Sequence, residues 1–157
     1  MLTAYLTCMD LAIAYCFHLT HPVALVFLAQ GLANEAYTTC SSILAQLGEA
    51  VPDIVTEEMV GDIIPETLSM YSEICGDDWL GTKMEDTKLC NIVKFYSLLT
   101  TAAYFCKPSS GYFVCRTIQM SLQNGVCEYT PIAVMKLSSI AFNKANDTKF
   151  SNASLIQ

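Results

Sequence analysis

The amino-acid sequence predicts an all-α fold of antiparallel helical hairpins, and three observations support this prediction. Apolar residues recur at the i, i+3, i+4, i+7 spacing of a helix over nearly the whole chain. Prolines, glycines and capping residues interrupt this spacing at intervals of about one helix length. No segment combines the alternating apolar pattern of a strand with the turn residues of a β-hairpin.

The first part of the chain predicts successive helices. Met1–Phe17 is apolar with helical spacing, and Pro22–Gln30 is a shorter helix with its proline in the first position. After a turn at Gly31–Ala33, a helix with Asn34 as N-cap ends at Gly48. The apolar stripe of this helix consists of Ala33, Ala36, Tyr37, Cys40, Ile43, Leu44 and Leu47.

The middle of the chain predicts another helix and a loop. Thr56 is the expected N-cap of a helix that runs to about Cys75. Gly61 and Pro65 weaken its early part, because glycine is flexible and proline lacks the backbone N–H. A loop over Gly76–Gly81 follows.

Thr82 and Glu85 then predict a capping box for a long helix over about Glu85–Cys106. This helix has two apolar faces, one with Leu89, Ile92, Val93, Tyr96 and Leu99, the other with Phe95, Leu98, Ala102 and Phe105. A helix of this kind is covered on both sides. Lys107-Pro108 ends it.

Two further helices complete the expected fold. One spans about Ser109–Gln123 and ends at Asn124-Gly125, and the last opens with Thr130-Pro131. After Asn143 the chain becomes polar. We therefore expect a single helical module over residues 1–142 and a disordered tail over residues 143–157.

Composition narrows the classes of partner. The 157 residues carry a net charge of −7 with an isoelectric point near 4.6, which argues against nucleic-acid binding. Hydrophobic residues make up 53% of the chain, which excludes disorder for most of it. Residues 1–82 hold eleven acids and no Lys or Arg, whereas residues 83–157 hold four acids and all eight bases. The two parts either attract each other or carry ordinary solvated charge, and we favour the second interpretation.

The apolar composition also requires a test for membrane spans. Met1–Phe17 contains Asp10, and the apolar window Pro22–Ala33 is 12 residues long, whereas a span needs about 20. No basic residue precedes Lys83, so the chain lacks the basic region with which a signal peptide begins. We expect no membrane span and a cytoplasmic location.

No motif for catalysis, cofactor binding or metal binding is found, and we predict no residue for any of these roles. The P-loop, dinucleotide-binding, zinc-protease, nucleophile-elbow and kinase signatures are missing. His18 and His21 have the i, i+3 spacing of a metal pair but lack a third ligand nearby. Asp77 and Asp78, beside Trp79, are more typical of a solvated turn anchored by one aromatic side chain than of a calcium loop.

The eight cysteines lie apart from one another, and no pair has C-x-x-C spacing. Most of them replace an apolar residue on a helical face, so we expect small buried hydrophobic side chains in a reducing compartment. Cys106 and Cys115 have no nearby histidine that could activate a thiolate.

Two stretches resemble a known family. The first is Cys40–Pro52, C-S-S-I-L-A-Q-L-G-E-A-V-P, and the second is Met84–Gly125, which holds M-E-D-T-K, A-A-Y, K-P and finally C-R-T-I-Q-M-S-L-Q-N-G. They resemble the tetratricopeptide-like helical region of large signalling ATPases from bacteria and diatoms. In that family a protein-kinase-like domain and an AAA-type, Orc1-like ATPase domain precede the helical region, and GAF, histidine-kinase or cyclase domains follow it. The resemblance covers about residues 20–142, and Asn124 replaces the family's usual tyrosine.

The resemblance implies a fragment of a tetratricopeptide-like α-solenoid. Its implied function is a non-catalytic scaffold or regulatory segment of a signal-transduction ATPase, in contact with adjacent signalling domains or a partner helix. The family's catalytic residues have no counterpart in these 157 residues, so we expect no enzyme activity, cofactor or metal. Two alternatives stay open, which are a stand-alone protein-interaction module and a small membrane-associated protein.

Overall fold

The structure is a computed structural model that describes residues 21–74, 79–106 and 110–153. The expected helix over Met1–Phe17 and the acidic pair Asp77 and Asp78 lie outside these ranges. The all-α prediction is confirmed. The helices are α1 (residues 21–29), α2 (Ala33–Gln46), α3 (Glu57–Ile74), α4 (Thr87–Cys106), α5 (Ser110–Asn124) and α6 (Thr130–Ala153). Within the described ranges the chain forms no strand, only an isolated parallel bridge between Lys83 and Val126.

The end of α2 was predicted correctly and its start was not. Gly48 has φ +89°, its N–H donates to Ala45 O at 3.1 Å, and the N–H of Glu49 donates to Leu44 O at 2.9 Å. These are the two bonds with which a left-handed glycine ends a helix. The prediction of Asn34 as N-cap is wrong, because α2 begins at Ala33 with Leu32 in the cap position and no side-chain cap bond.

The start of α3 confirms the prediction from Thr56, whose Oγ1 accepts the N–H of Met59 at 3.2 Å. Glu57 and Glu58 occupy the first turn, where carboxylates offset the positive end of the helix dipole. Pro65 lies inside α3 on its exposed side, and the helix continues past it to Ile74. A solvent-facing proline therefore does not divide this helix.

The prediction of a capping box at Thr82 is wrong, because α4 starts at Thr87 and is capped by Asp86. The Oδ1 atom of Asp86 accepts the N–H of Lys88 at 2.7 Å. Thr82 is engaged elsewhere, because its carbonyl accepts the N–H of Val126 at 2.8 Å. This long-range backbone pairing keeps residues 82–84 outside the helix, which begins at Thr87. The last helix has Pro131 in its first turn as predicted, and its backbone stays helical to Ala153.

Two hydrophobic clusters meet at α5. The α2–α4 cluster contains the buried side chains of α1, α2 and α4 and, from α5, Phe113 and Met120. The α3–α6 cluster contains Trp79, side chains of α3 and α6, and the α5 residues Val114, Cys115, Ile118 and Leu122. On both predicted apolar faces of α4 most side chains that the structure describes are buried, namely Ile92, Val93, Tyr96 and Leu99 on one face and Phe95, Leu98 and Ala102 on the other. Helices α4 and α5 are thus covered on more than one side.

Several helices pack against helices that are not their neighbours in sequence. Helix α2 packs on α4, α3 packs on α5, and α5 packs on both α4 and α6. An ion pair joins the acidic and basic parts of the chain, since Glu49 Oε2 lies 3.3 Å from Arg116 and also accepts the hydroxyl of Tyr96 at 2.9 Å. The core is therefore centred on α5, and α4 and α6 lie beside it.

Candidate functional site

A groove lies between α4 and α6, above α5. Its widest part is a cavity of about 490 Å³, lined by Thr100, Thr101, Tyr104, Ser110, Val114, Met135, Lys136, Ser139 and Ile140. A narrow extension shares Thr100, Val114 and Lys136 with this cavity and reaches Ser97 on α4 and Ile132 on α6. We call this surface the α4–α6 groove.

The α4 wall follows from helical spacing. Lys94, Ser97, Thr101 and Tyr104 stand at i, i+3, i+7 and i+10 and therefore share one face of the helix. None of them is fully buried, and Tyr104 is 76% exposed. The opposite faces of α4 fill the core, so this stripe remains at the surface.

The α6 wall presents large apolar side chains to solvent. Met135 is 63% exposed and Ile132 is 45% exposed, whereas Ala133 and Leu137 on the same helix are buried in the core. A helix with apolar residues around its circumference is normally covered on two sides. One of these sides rests on α5, and the other borders the groove.

Three threonine hydroxyls that line the groove are bonded within their own helices. Thr100 Oγ1 donates to Tyr96 O at 2.8 Å, and Thr101 Oγ1 donates to Ser97 O at 3.2 Å. Thr117 on the floor likewise donates to Phe113 O at 2.9 Å. These three hydroxyls are therefore already used as donors, and Val114, Met135 and Ile140 give the lining apolar surface. This arrangement is suited to apolar side chains and offers no acid–base pair.

Lys136 is the charged residue in the wide part of the groove. It is half-buried, and burial lowers the pKa of its ammonium group below the usual 10.5. Among the residues that the structure describes, no carboxylate forms an ion pair with it. A partly desolvated ammonium without a counter-charge favours an occupant that brings a carboxylate.

A second cavity of about 380 Å³ lies about one turn before Ser97 on α4 and next to the residues that precede α6. Lys94 lies there on the α4 side, with Glu128 and Tyr129 just before α6. His21, at the start of the described chain, interacts electrostatically with Lys94 and Glu128. Burial and the positive charge of Lys94 lower the pKa of His21, against the smaller opposing effect of Glu128.

Of the residues considered from sequence for chemistry, His21 and Cys115 have their side chains within the described ranges. His18 lies outside them, and no group of three or more His, Cys, Asp or Glu side chains within them is arranged to hold a metal ion. Cys40 and Cys115 are buried and free, which confirms the expectation of small buried side chains at these two positions. Burial raises the pKa of Cys40 to about 12 and also raises that of Cys115, so neither favours a thiolate.

Sequence reasoning did not identify the groove, because its walls and floor come from three helices with no shared motif. The available signal was the distribution of apolar residues around α6, where Ile132 and Met135 lie off the buried stripe of Ala133 and Leu137. That signal shows that a second face is apolar, but not which helices border it.

Comparison of the chain with protein-family models, with curated protein sequences and with solved structures finds no match in any of the three. Over the ranges that the structure describes, every helix is too short or too polar to cross a bilayer.

Proposed function

We propose that the chain is a non-catalytic helical module that binds an amphipathic helix of a partner protein or adjacent signalling domain in the α4–α6 groove. The α4–α6 groove carries this proposal, because it combines an opening of about 490 Å³, threonine hydroxyls bonded within their own helices and exposed apolar side chains. Recognition of a helix in a groove uses apolar anchors at i, i+3, i+4 and i+7. Because Lys136 lines the cavity, an acidic residue near the middle of the bound helix would be favoured.

The order of helix packing supports a tetratricopeptide-like arrangement as part of the proposal. In an α-solenoid, helices two apart in sequence stack in the same layer. The α2–α4 and α3–α5 contacts agree with this order, whereas α4 and α6 are separated by the groove. We place such a module in the cytoplasm as a scaffold or regulatory segment beside signalling ATPase domains, in line with the resemblance of Cys40–Pro52 and Met84–Gly125.

The proposal is tested by selecting ligands for the full chain from a displayed library of 18-residue helical peptides. We expect the selected peptides to carry an apolar stripe with one Asp or Glu near its centre. Met135→Asp should weaken their binding at least about tenfold, because it places a carboxylate among apolar anchors. The matched control is Ile54→Asp, at a residue that is 76% exposed and lies in the connector before α3.

Two results would contradict this function. One is a selection that enriches no helical peptide. The other is a set of peptides whose affinity falls equally in the Met135→Asp and Ile54→Asp variants, since binding would then lie outside the groove.

A further inference from the structure

We infer that Cys90 and Cys127 form a dithiol site that a hydroperoxide converts into a disulfide. This inference goes beyond the proposed function and holds whether or not a helix binds in the α4–α6 groove. The disulfide ties the first turn of α4 to the residues that precede α6.

The first argument is a shared cavity. Both thiols line the cavity of about 380 Å³ beside the start of α4. Cys90 and Cys127 are free and partly buried, whereas Cys40 and Cys115 are free and fully buried in the core. Because an oxidant must reach a sulfur atom in order to react with it, the cavity gives a small molecule access to two thiols at once.

The second argument is a set of hydrogen bonds that brings the two cysteines together. The thiol of Cys90 donates to Met84 O at 3.6 Å, and the N–H of Met84 donates to Val126 O at 2.9 Å. Cys127 follows Val126 directly in the chain. The long-range pairing before α4 therefore places two thiols next to each other that are separated in sequence by the whole of α5. The electrostatic interaction between Cys90 and Cys127 agrees with this proximity.

The third argument is that Cys127 is also held in place. Its N–H donates to Thr130 Oγ1 at 3.0 Å, and the hydroxyl of Thr130 lies 3.6 Å from Cys127 Sγ. Thr130 is itself buried. Since both sulfur atoms are positioned before any reaction, little conformational freedom is lost when they join.

The charges around Cys90 decide how readily its thiolate forms. Burial raises the pKa of Cys90, and the neighbouring Cys127 and Asp86 raise it further. Lys83 lowers this pKa, and Glu128 adds a smaller increase. Because the thiolate is the form that attacks an oxidant, the charge of Lys83 favours the reaction.

The proposed reaction consumes one hydroperoxide, ROOH. One thiol attacks the terminal oxygen, the O–O bond breaks, and ROH leaves with the thiol proton, so that the cysteine becomes a sulfenic acid. The second thiol then attacks this sulfur, the S–S bond forms, and the hydroxyl leaves with the second thiol proton as water. The two thiols lose two electrons in total, and the hydroperoxide gains them.

The test treats the folded full chain with an equimolar amount of hydrogen peroxide, alkylates the remaining thiols and digests the product with trypsin. Trypsin releases Cys90 in residues 89–94 and Cys127 in residues 117–136, and each of these peptides contains a single cysteine. Mass spectrometry therefore identifies their disulfide without ambiguity. We expect it to be at least about tenfold more abundant than any disulfide that links either residue to another cysteine. Dithiothreitol should release both peptides.

Oxidation of the chain in concentrated urea is the control for proximity. Because unfolding removes the contacts that place the thiols together, the yield of the Cys90–Cys127 disulfide should fall at least about tenfold.

A pair of lysine variants tests the electrostatic argument. Lys83→Gln should slow formation of the disulfide at least about threefold at fixed pH, because it removes the charge that favours the thiolate. Lys88→Gln is the matched control and should leave the rate unchanged. Lys88 is exposed and stands two residues before Cys90, so it lies on another face of α4.

Three results would overturn the inference. They are Cys90 or Cys127 joined mainly to another cysteine, both residues recovered in alkylated form after the peroxide has been consumed, and equal yields from the folded and unfolded chain. Equal rates in the two lysine variants would overturn the role of Lys83. None of these measurements involves a bound helix, so their failure is distinguishable from failure of the peptide selection.

Discussion

At the scale of single residues, Gly125 lies in close contact with the backbone of another segment. It ends α5 with φ +94°, and a Cβ atom there would lie 2.8 Å from Thr82 O and 3.0 Å from Lys83 C. The neighbouring Val126 exchanges backbone hydrogen bonds with Thr82 and Met84 at 2.8 and 2.9 Å. The missing side chain therefore allows the end of α5 to approach the segment before α4.

Gly125→Ala should destabilise the protein by about 3 kcal/mol or more, because the added methyl is both strained at positive φ and in contact with backbone atoms. Gly48→Ala is the matched control, since its φ is +89° but no atom lies within 4 Å of the place that an added methyl would take. It should cost only about 1 kcal/mol. Urea unfolding of both variants measures the difference, and equal losses would show that the close approach has no energetic consequence.

At the scale of elements, α3 and α5 are joined by a buried polar contact. Thr67 donates its hydroxyl to Ile63 O at 2.7 Å and accepts the side-chain N–H of Gln119 at 3.1 Å. Gln119 also accepts a hydrogen bond from Arg116 at 3.2 Å. Because buried amides need partners, this contact fixes how the two helices pack along each other.

Thr67→Val should cost about 1–3 kcal/mol of unfolding free energy, since it leaves a buried N–H of Gln119 without an acceptor. Thr100→Val is the control, because the buried hydroxyl of Thr100 bonds only to Tyr96 O in its own helix. Its expected loss is below about 1 kcal/mol. Thermal or urea unfolding of the two variants distinguishes them, and a smaller loss for Thr67→Val than for Thr100→Val would contradict the role of this contact.

The elements also show how far sequence reasoning reaches. Thr56 and Gly48 were predicted correctly, because each acts on backbone groups within a few residues. Thr82 was predicted wrongly, because its partner Val126 is distant in sequence and no local pattern announces that pairing. The α4–α6 groove was missed for the same reason, since it is formed by three helices that are separate in sequence.

At the scale of the whole molecule, α5 belongs to both hydrophobic clusters. Phe113 and Met120 lie in the α2–α4 cluster, and Val114, Ile118 and Leu122 lie in the α3–α6 cluster. If α5 separates from one cluster, it also exposes apolar side chains of the other cluster. We therefore expect the two clusters to unfold as a single cooperative unit.

Trp79, the single tryptophan of the chain, makes this expectation measurable. It lies in the α3–α6 cluster, where its indole N–H donates to Ser121 O at 3.1 Å. Leu44→Ala removes a fully buried side chain from the other cluster and should cost about 2–5 kcal/mol. If α5 couples the clusters, this loss lowers the urea midpoint of Trp79 fluorescence as much as that of helical circular dichroism.

The exposed residue Ile54 supplies the control, because Ile54→Ala should change either midpoint by no more than the equivalent of about 0.5 kcal/mol. A Leu44→Ala protein whose circular dichroism is lost at low urea while the fluorescence of Trp79 keeps its original midpoint would contradict the coupling. In that case the α3–α6 cluster would be a separate folding unit, and α5 would be held by it alone. Coincident midpoints would instead place α5, the floor of the groove, inside one cooperative core, so that the groove persists for as long as the protein is folded.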